Sequence, residues 1–362
     1  MYEVCCSPIS GGNFISQIAV LTCLLEIRKK SDVITKTHFD LYLGASGGSL
    51  ANTIGTFFED TRESVERILY TLDSKMFVQN WLKGKFSGVD SKLISLFKNS
   101  IYQSGTGAIE TFSSLTGKDH FTKNKSPENW YLTFNDDKNV PVIHNSFSIE
   151  SSNFSDFQEE IGIKYLNFEV EKIFETVMAS ASIPGLKNTV VIENENHVDG
   201  GVANPSPYPY FSEAIYQKSK EGEITHPYHY YYLLPNNLEP DEKNNGFWLK
   251  DMITGIQKMI SFNILKDKEY TFLSWLRIIG KGKKDLTRIN IQKIDKRDLL
   301  QLLEQYHQYN YFISFYTDKN TIDITNFNKS DLEKSFNNCY QTITLEIFVD
   351  KEIQIIILVI LF

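Results

Sequence analysis

Residues 41–55 read LYLGASGGSLANTIG, a serine set among four glycines between an apolar run and a helix-like segment. The apolar run HFDLYLG (38–44) suits a strand buried on both faces of a parallel sheet. SLANTIGTFFED (49–60) has helical spacing. Between them, Gly44-Ala45-Ser46-Gly47-Gly48 fits G-x-S-x-G. Small neighbours suit a serine whose backbone is forced into a strained strand-to-helix turn, with its hydroxyl raised above the sheet and a helix N-terminus beneath it. The same segment also reads as a glycine-rich turn that binds phosphate or only packs. The chemistry therefore depends on what else the chain supplies.

An earlier unit repeats the pattern. YEVCC (2–6) is a short apolar run, SPISGGN (7–13) is turn-rich, and FISQIAVLTCLLEIRKK (14–30) has helical periodicity with a basic end suited to a helix C-terminus. Two strand–turn–helix units favour an α/β layered fold. Further on, WYLTFNDDKNVPVIHNS (130–146) predicts a hairpin around DDKN. Residues 169–182 and 210–220 predict helices, VVIENENHVDGG (190–201) a strand running into a turn, and YHYYYLLP (228–235) a strand stopped by proline. Residues 62–125 carry helical spacing and many aromatics, and read as a helical insertion able to cap a site or to fill the core. Past the polar stretch 235–246 the pattern predicts helices over 247–266, 298–309 and 330–340, the last capped by Ser330, and a strand over 287–295. This divides the chain into a domain at 1–240 and a C-terminal extension at 241–362.

Composition bounds the function. A chain of 362 residues with 41 % hydrophobic content can build a full core, and a net charge of −8 argues against non-specific nucleic-acid binding. Cys5, Cys6, Cys23 and Cys339 form no CxxC pair and no Cys/His cluster, which points away from zinc and towards a reducing compartment. The N-terminus has no basic region before an apolar stretch, so a signal peptide is not expected. A cytoplasmic location follows, with peripheral membrane contact as an option. WLRIIGKGKK (275–284) mixes apolar and basic side chains and reads either as an element seated on an anionic bilayer or as a solvated basic loop. IQIIILVILF (353–362) is too short for a membrane span, which needs about 20 residues. It reads as a buried strand or as a tail that touches lipid.

A serine nucleophile needs a base. Of the seven histidines, His226 and His229 open a strand candidate and His307 lies in a polar helix; none carries a catalytic signature. Asp199 is placed better. It follows a strand and precedes Gly200 and Gly201, a turn that presents a carboxylate at a strand end and lets another backbone approach. An Asp-Gly hairpin is the competing reading, although VANPSP does not continue as a matching strand.

GASGG (44–48), ASASIPG (179–185) and VDGGVANPSP (198–207), in that order, resemble the patatin-like phospholipases over roughly residues 1–235. The resemblance implies a three-layer α/β/α fold with a mostly parallel central sheet. It implies a Ser–Asp dyad without histidine: Ser46 matches the nucleophile and Asp199 the base, with Gly44, Gly48, Gly200 and Gly201 as supporting glycines. SGGNFIS (10–16) stands where the family has a glycine-rich oxyanion loop, so Gly11, Gly12 and Asn13 match the oxyanion hole. Asn13 replaces a glycine, and Ile15 stands where the family commonly has a basic residue. The implied activity is hydrolysis of phospholipid or lysophospholipid esters through an acyl-serine, without calcium, metal or other cofactor. The alternatives are acyl transfer or general esterase chemistry on the same dyad, or a catalytically weak protein that binds lipid or a partner.

Overall fold

The computed structural model describes residues 1–10, 14–57, 62–69, 127–145, 164–167, 173–182, 189–203, 208–234, 248–316 and 329–350. The candidate insertion beyond residue 69 and the apolar C-terminal run lie outside these, as do Gly11, Gly12 and Asn13.

The chain opens as the periodicity predicts: β1 (Tyr2–Ser7), α1 (Phe14–Lys29), β2 (Leu41–Ala45) and α2 (Gly47–Phe57), followed by α3 (Arg62–Leu69). The hairpin around DDKN is present as β3 (Glu128–Asn135) and β4 (Val140–Asn145), antiparallel, with Asn135 opposite Val140. Next come β5 (Lys164–Asn167), α4 (Ile173–Ser180), β6 (Val190–Ile192), β7 (Glu195–Asp199), the single turn α5 (Gly200–Ala203), α6 (Tyr208–Lys220) and β8 (Tyr228–Leu234). The C-terminal part adds α7 (Trp248–Ile279), β9 (Thr287–Ile294), α8 (Lys296–Tyr306), β10 (Tyr311–Tyr316), α9 (Lys329–Gln341) and β11 (Ile343–Val349).

These strands form one sheet in the order β5-β4-β3-β2-β1-β8-β10-β11-β9, with β7 joined to β3 and β6 to β7. It is parallel through the middle, from β3 to β10, and gains antiparallel partners towards both margins. Parallel centre strands are covered on both faces. Accordingly β2 and β8 are buried along their whole length. One face packs on α1, α2, α4, α8 and α9 through residues such as Ile18, Leu21, Ile54, Val177, Leu303 and Phe336. The other packs on α6 and α7 through Phe211, Ile215, Phe272 and Trp275. The result is an α/β/α sandwich around a mixed sheet.

Helix α1 runs through the middle of its layer, with fourteen of its sixteen residues buried. Ile15 is wholly buried in that apolar layer, so the side chain at the position of the missing basic residue packs into the core. The sheet does not stop at the boundary expected near residue 240. Strand β10 adds parallel to β8, and β11 and β9 follow it.

Some elements depart from the sequence reading. VVIENENHVD is two strands, because Glu193 and Asn194 adopt left-handed backbone angles (φ 51° and 66°) and reverse the chain between β6 and β7. The hairpin turn thus sits five residues before Asp199-Gly200, and Gly200 starts a helical turn instead. Helix α7 continues through Trp275 and Leu276, whose side chains lie in the core against α6 and the sheet and do not face solvent. Helix α9 begins at Lys329, so Ser330 lies inside its first turn. Strands β5, β10 and β11 were not singled out by the sequence pattern.

Candidate active site

Ser46 stands between the end of β2 and the start of α2 with φ 55°. This left-handed angle is uncommon outside glycine and costs on the order of 1–3 kcal/mol, so it persists only where the surroundings impose it. Several contacts impose it. The Ser46 N–H donates to Ser180 Oγ at 3.0 Å, and the Ser46 carbonyl accepts from the Ser49 N–H at 3.0 Å. Ser180 is itself fixed: its hydroxyl donates to the Leu132 carbonyl at 2.7 Å and lies 2.8 Å from Ser49 Oγ. The last residue of α4 therefore ties the elbow to β3.

The glycines around Ser46 are required by close approach. A Cβ on Gly48 would overlap the Ser7 carbonyl, and one on Gly44 would lie 2.7 Å from Ser49 Cα. The end of β1 thus passes against the first turn of α2. Ser7 Oγ donates to Asn52 Oδ1 at 2.6 Å, and buried Gln17 donates through Nε2 to the carbonyls of Pro8 (2.9 Å) and Leu233 (3.0 Å). These bonds anchor the exit of β1, as far as Pro8, beside the elbow.

Asp199 closes β7 and is fully buried. Its N–H donates to the Ser182 carbonyl at 2.8 Å, and its Oδ1 accepts from the Gly201 N–H at 2.9 Å. The sheet register brings it to the elbow. Ala45, the residue before Ser46, is opposite Leu132 of β3, and Asp199 is opposite the next residue, Thr133. Strand β7 thus takes over the edge of β3 where β2 leaves it for the elbow. A Cβ on Gly200 would lie 2.9 Å from Thr133 Cα, and one on Gly201 would overlap the Ile9 side chain. The supporting glycines Gly44, Gly48, Gly200 and Gly201 thereby let four chain segments converge: the β1 exit, the elbow, β3 and the β7 exit.

His226 and His229 lie around the start of β8 and His307 at the end of α8, as the sequence places them. His229 is opposite Glu3 at the start of β1, and its Nδ1 lies 3.2 Å from Glu3 Oε1; His226 pairs with Asn310 Oδ1 at 3.0 Å. The His307 ring lies 5.7 Å from that of His229. All three gather where the parallel strands begin, whereas Ser46 lies where they end. His144 and His197, which no motif marked, lie beside the site on β4 and β7, each within hydrogen-bond distance of Thr133 Oγ1 (2.8 and 2.9 Å). Among the described residues no group of three or more His, Cys, Asp or Glu side chains could hold a metal ion. Among them, too, no helix is long and apolar enough to cross a membrane.

A mixed sheet between two helical layers, with a serine at a strained strand–helix turn, defines an α/β protein of the elbow type. Residues 10–212, more than half of the chain, match the model of the patatin-like phospholipases, and the chain belongs to that family. Membership places it among proteins of lipid-ester hydrolysis. No curated protein matches the chain.

Proposed function

We propose that the chain is a lipid acyl hydrolase that cleaves phospholipid or lysophospholipid esters through a Ser46–Asp199 dyad. The observation that carries this reading is the register of β3: the elbow serine follows the partner of Leu132, and the buried carboxylate is the partner of Thr133.

In this reading Asp199 takes the Ser46 proton as Oγ bonds to the ester carbonyl carbon. The tetrahedral oxyanion is held by backbone N–H groups of Gly11, Gly12 and Asn13; one such donor is worth about 3–4 kcal/mol in other serine hydrolases. The bond to the alcohol oxygen then breaks, and the leaving alcohol or lysophospholipid receives the proton from Asp199. Water attacks the acyl-serine, gives a proton to Asp199 and releases the fatty acid as Ser46 Oγ regains its proton. The Ser46 N–H already donates to Ser180, so the elbow's own contribution to the oxyanion falls to the Gly47 N–H at the start of α2. The product partition between water and another acyl acceptor is a property of the same acyl-serine.

The experiment is release of free fatty acid from mixed phospholipid vesicles, with chelator present, by the intact chain, Ser46→Ala and Asp199→Asn. Release by the intact chain and loss in both variants is the expected result. Equal release by all three removes the dyad. Vesicle binding without release by the intact chain would favour a lipid-binding protein, in keeping with the core packing of Ile15 where the family commonly has a basic residue.

A further inference from the structure

His144 and His197 belong to neither the dyad nor any motif, yet both are fully buried, His197 two positions before Asp199 on β7 and His144 across β3 on β4. Thr133 Oγ1 lies 2.8 Å from His144 Nε2 and 2.9 Å from His197 Nδ1, and the two imidazole centroids are 5.3 Å apart. The three side chains come from the adjacent strands β4, β3 and β7. Thr133 is the β3 residue opposite Asp199, and His197 precedes Asp199 by two positions. Residues two apart on a strand share a face, about 7 Å from each other.

Strand β7 has a short main-chain ladder. It meets β3 over three residue pairs only, Thr133–Asp199, Phe134–Val198 and Asn135–His197. Its other neighbour, β6, is three residues long. Beyond this short ladder the strand end is held through the Asp199 main chain, whose N–H donates to the Ser182 carbonyl at 2.8 Å, and through Oδ1, which accepts from the Gly201 N–H at 2.9 Å; His197 adds a side-chain tie from β7 to β3. The histidine–threonine–histidine chain ties β4, β3 and β7 on the face that carries Asp199.

The chain also has a proton count. The Thr133 hydroxyl holds one proton, so it donates to one ring nitrogen and accepts from the other ring's N–H. That arrangement holds with both imidazoles neutral and with one of them charged. With both charged, both rings donate to Oγ1, the hydroxyl proton loses its acceptor, and two cations face each other at 5.3 Å. Among the described residues, the charged side chains on β7 and in the β3–β4 turn are Asp199, Glu195, Asp136, Asp137 and Lys138, and the titratable Tyr131 stands opposite His144 on β3. Glu195 is engaged by Asn135 Nδ2 and Lys138 Nζ, and Asp137 by Asn196.

We propose that His197, Thr133 and His144 form the positioning element of the dyad base: they hold the end of β7, and with it the Asp199 carboxylate, in line with Ser46, and they release it as the imidazole pair gains charge in mild acid. This rests on the reading of Asp199 as the proton acceptor. None of the three touches the ester; they are positioning residues.

The test reads nucleophile activation without knowledge of the natural substrate. The rate of Ser46 phosphonylation by a fluorophosphonate, and kcat and KM with p-nitrophenyl butyrate, are followed across the imidazole range, roughly pH 5 to 8. Thr133→Val keeps the shape and removes the hydroxyl. It lowers kcat and the phosphonylation rate about tenfold or more, with KM changed by less than about twofold. Thr133→Ser restores the rate to within about threefold of the parent. His197→Gln moves the acid limb of the profile down by roughly half a pH unit or more, because the second charge can no longer form. Parent rates in Thr133→Val, or an unmoved acid limb in His197→Gln, overturn the proposal. Should circular dichroism show Thr133→Val unfolded, the acid limb of His197→Gln decides alone. Asp199→Asn separates the two levels: if it is inert while Thr133→Val is unaffected, only the positioning role falls; if it keeps the parent phosphonylation rate, the dyad falls and the positioning role with it.

Discussion

Ser180 Oγ accepts the Ser46 N–H at 3.0 Å while donating to the Leu132 carbonyl at 2.7 Å, so one hydroxyl joins the strained elbow to the strand that also carries the partner of Asp199. Ser180→Ala would leave a buried N–H and a buried carbonyl without this bridge. The expected loss of stability is about 1–3 kcal/mol by urea unfolding. The expected kinetic effect is a fall in kcat with KM little changed, since the elbow relaxes without altering substrate contacts. A variant of parent stability and parent kcat would show that α2 alone holds the φ 55° turn.

Gly48 and Gly222 provide a matched pair. A Cβ at Gly48 would overlap the Ser7 backbone, which cannot swing aside without moving β1. At Gly222 a Cβ meets nothing within 4 Å, and only its φ of 78° opposes a side chain. Gly48→Ala is expected to prevent folding or to lower the melting temperature by many degrees, whereas Gly222→Ala costs about 1 kcal/mol. Differential scanning fluorimetry of the two variants tests this; similar melting temperatures would contradict the close approach of β1 to the elbow.

Much of the elbow was legible because it is local. The strand 41–45, the serine and the helix 47–57 are contiguous, and small residues at fixed offsets report a tight turn whatever surrounds it. The hairpin at 136–139 was legible for the same reason. The end of the sheet was not. Strand β10 pairs with β8, some eighty residues earlier in sequence, and β11 closes on β9 across two helices and β10. Such pairing depends on tertiary packing, to which alternation along one segment is blind. Trp275 misled for a related reason: beside lysines and an arginine it looks interfacial, but helical phase turns it inward and leaves Arg277 stacked on Tyr216, 3.5 Å from the ring centroid. His144 and His197 carried no signal, since 144 and 197 meet only once β3 lies between their strands.

Trp275 packs on Phe312 and Phe272, with ring centroids 5.9 Å away in each case, and its Nε1 donates to the Tyr228 carbonyl at 3.4 Å. Trp275→Ala should therefore cost about 3–5 kcal/mol in chemical unfolding. Vesicle sedimentation below the variant's unfolding transition is expected to match the parent. A selective loss of vesicle binding with parent stability would return this residue to the membrane surface.

The opposite end of the sheet is expected to set the acid limit of the fold. Arg28 donates to Glu3 through Nη1 (2.9 Å) and Nη2 (2.5 Å), and both side chains are buried. Burial alone would raise the Glu3 carboxyl, but the Arg28 charge and hydrogen bonds, with His229, outweigh it and hold the carboxyl down to about 2. His307 is shifted down from the usual imidazole value by burial and by the neighbouring His229. Both groups prefer, in the folded state, the form that dominates at neutral pH. Their stability is therefore present above the unfolded values, about 6.5 for His307 and 4.5 for Glu3, and is lost as pH falls. The His307 contribution fades first, just below neutrality, and the Glu3 contribution, on the order of 3 kcal/mol, fades between about 4.5 and about 2. Urea unfolding should give a midpoint that drops slightly below pH 6.5 and steeply below pH 4.5. Glu3→Gln leaves the Arg28 cation buried without its counter-charge and should lose about 3–5 kcal/mol at neutral pH. It should also flatten the steep acid limb, since the titrating partner is gone. A Glu3→Gln profile parallel to the parent's would show that acid unfolding begins elsewhere.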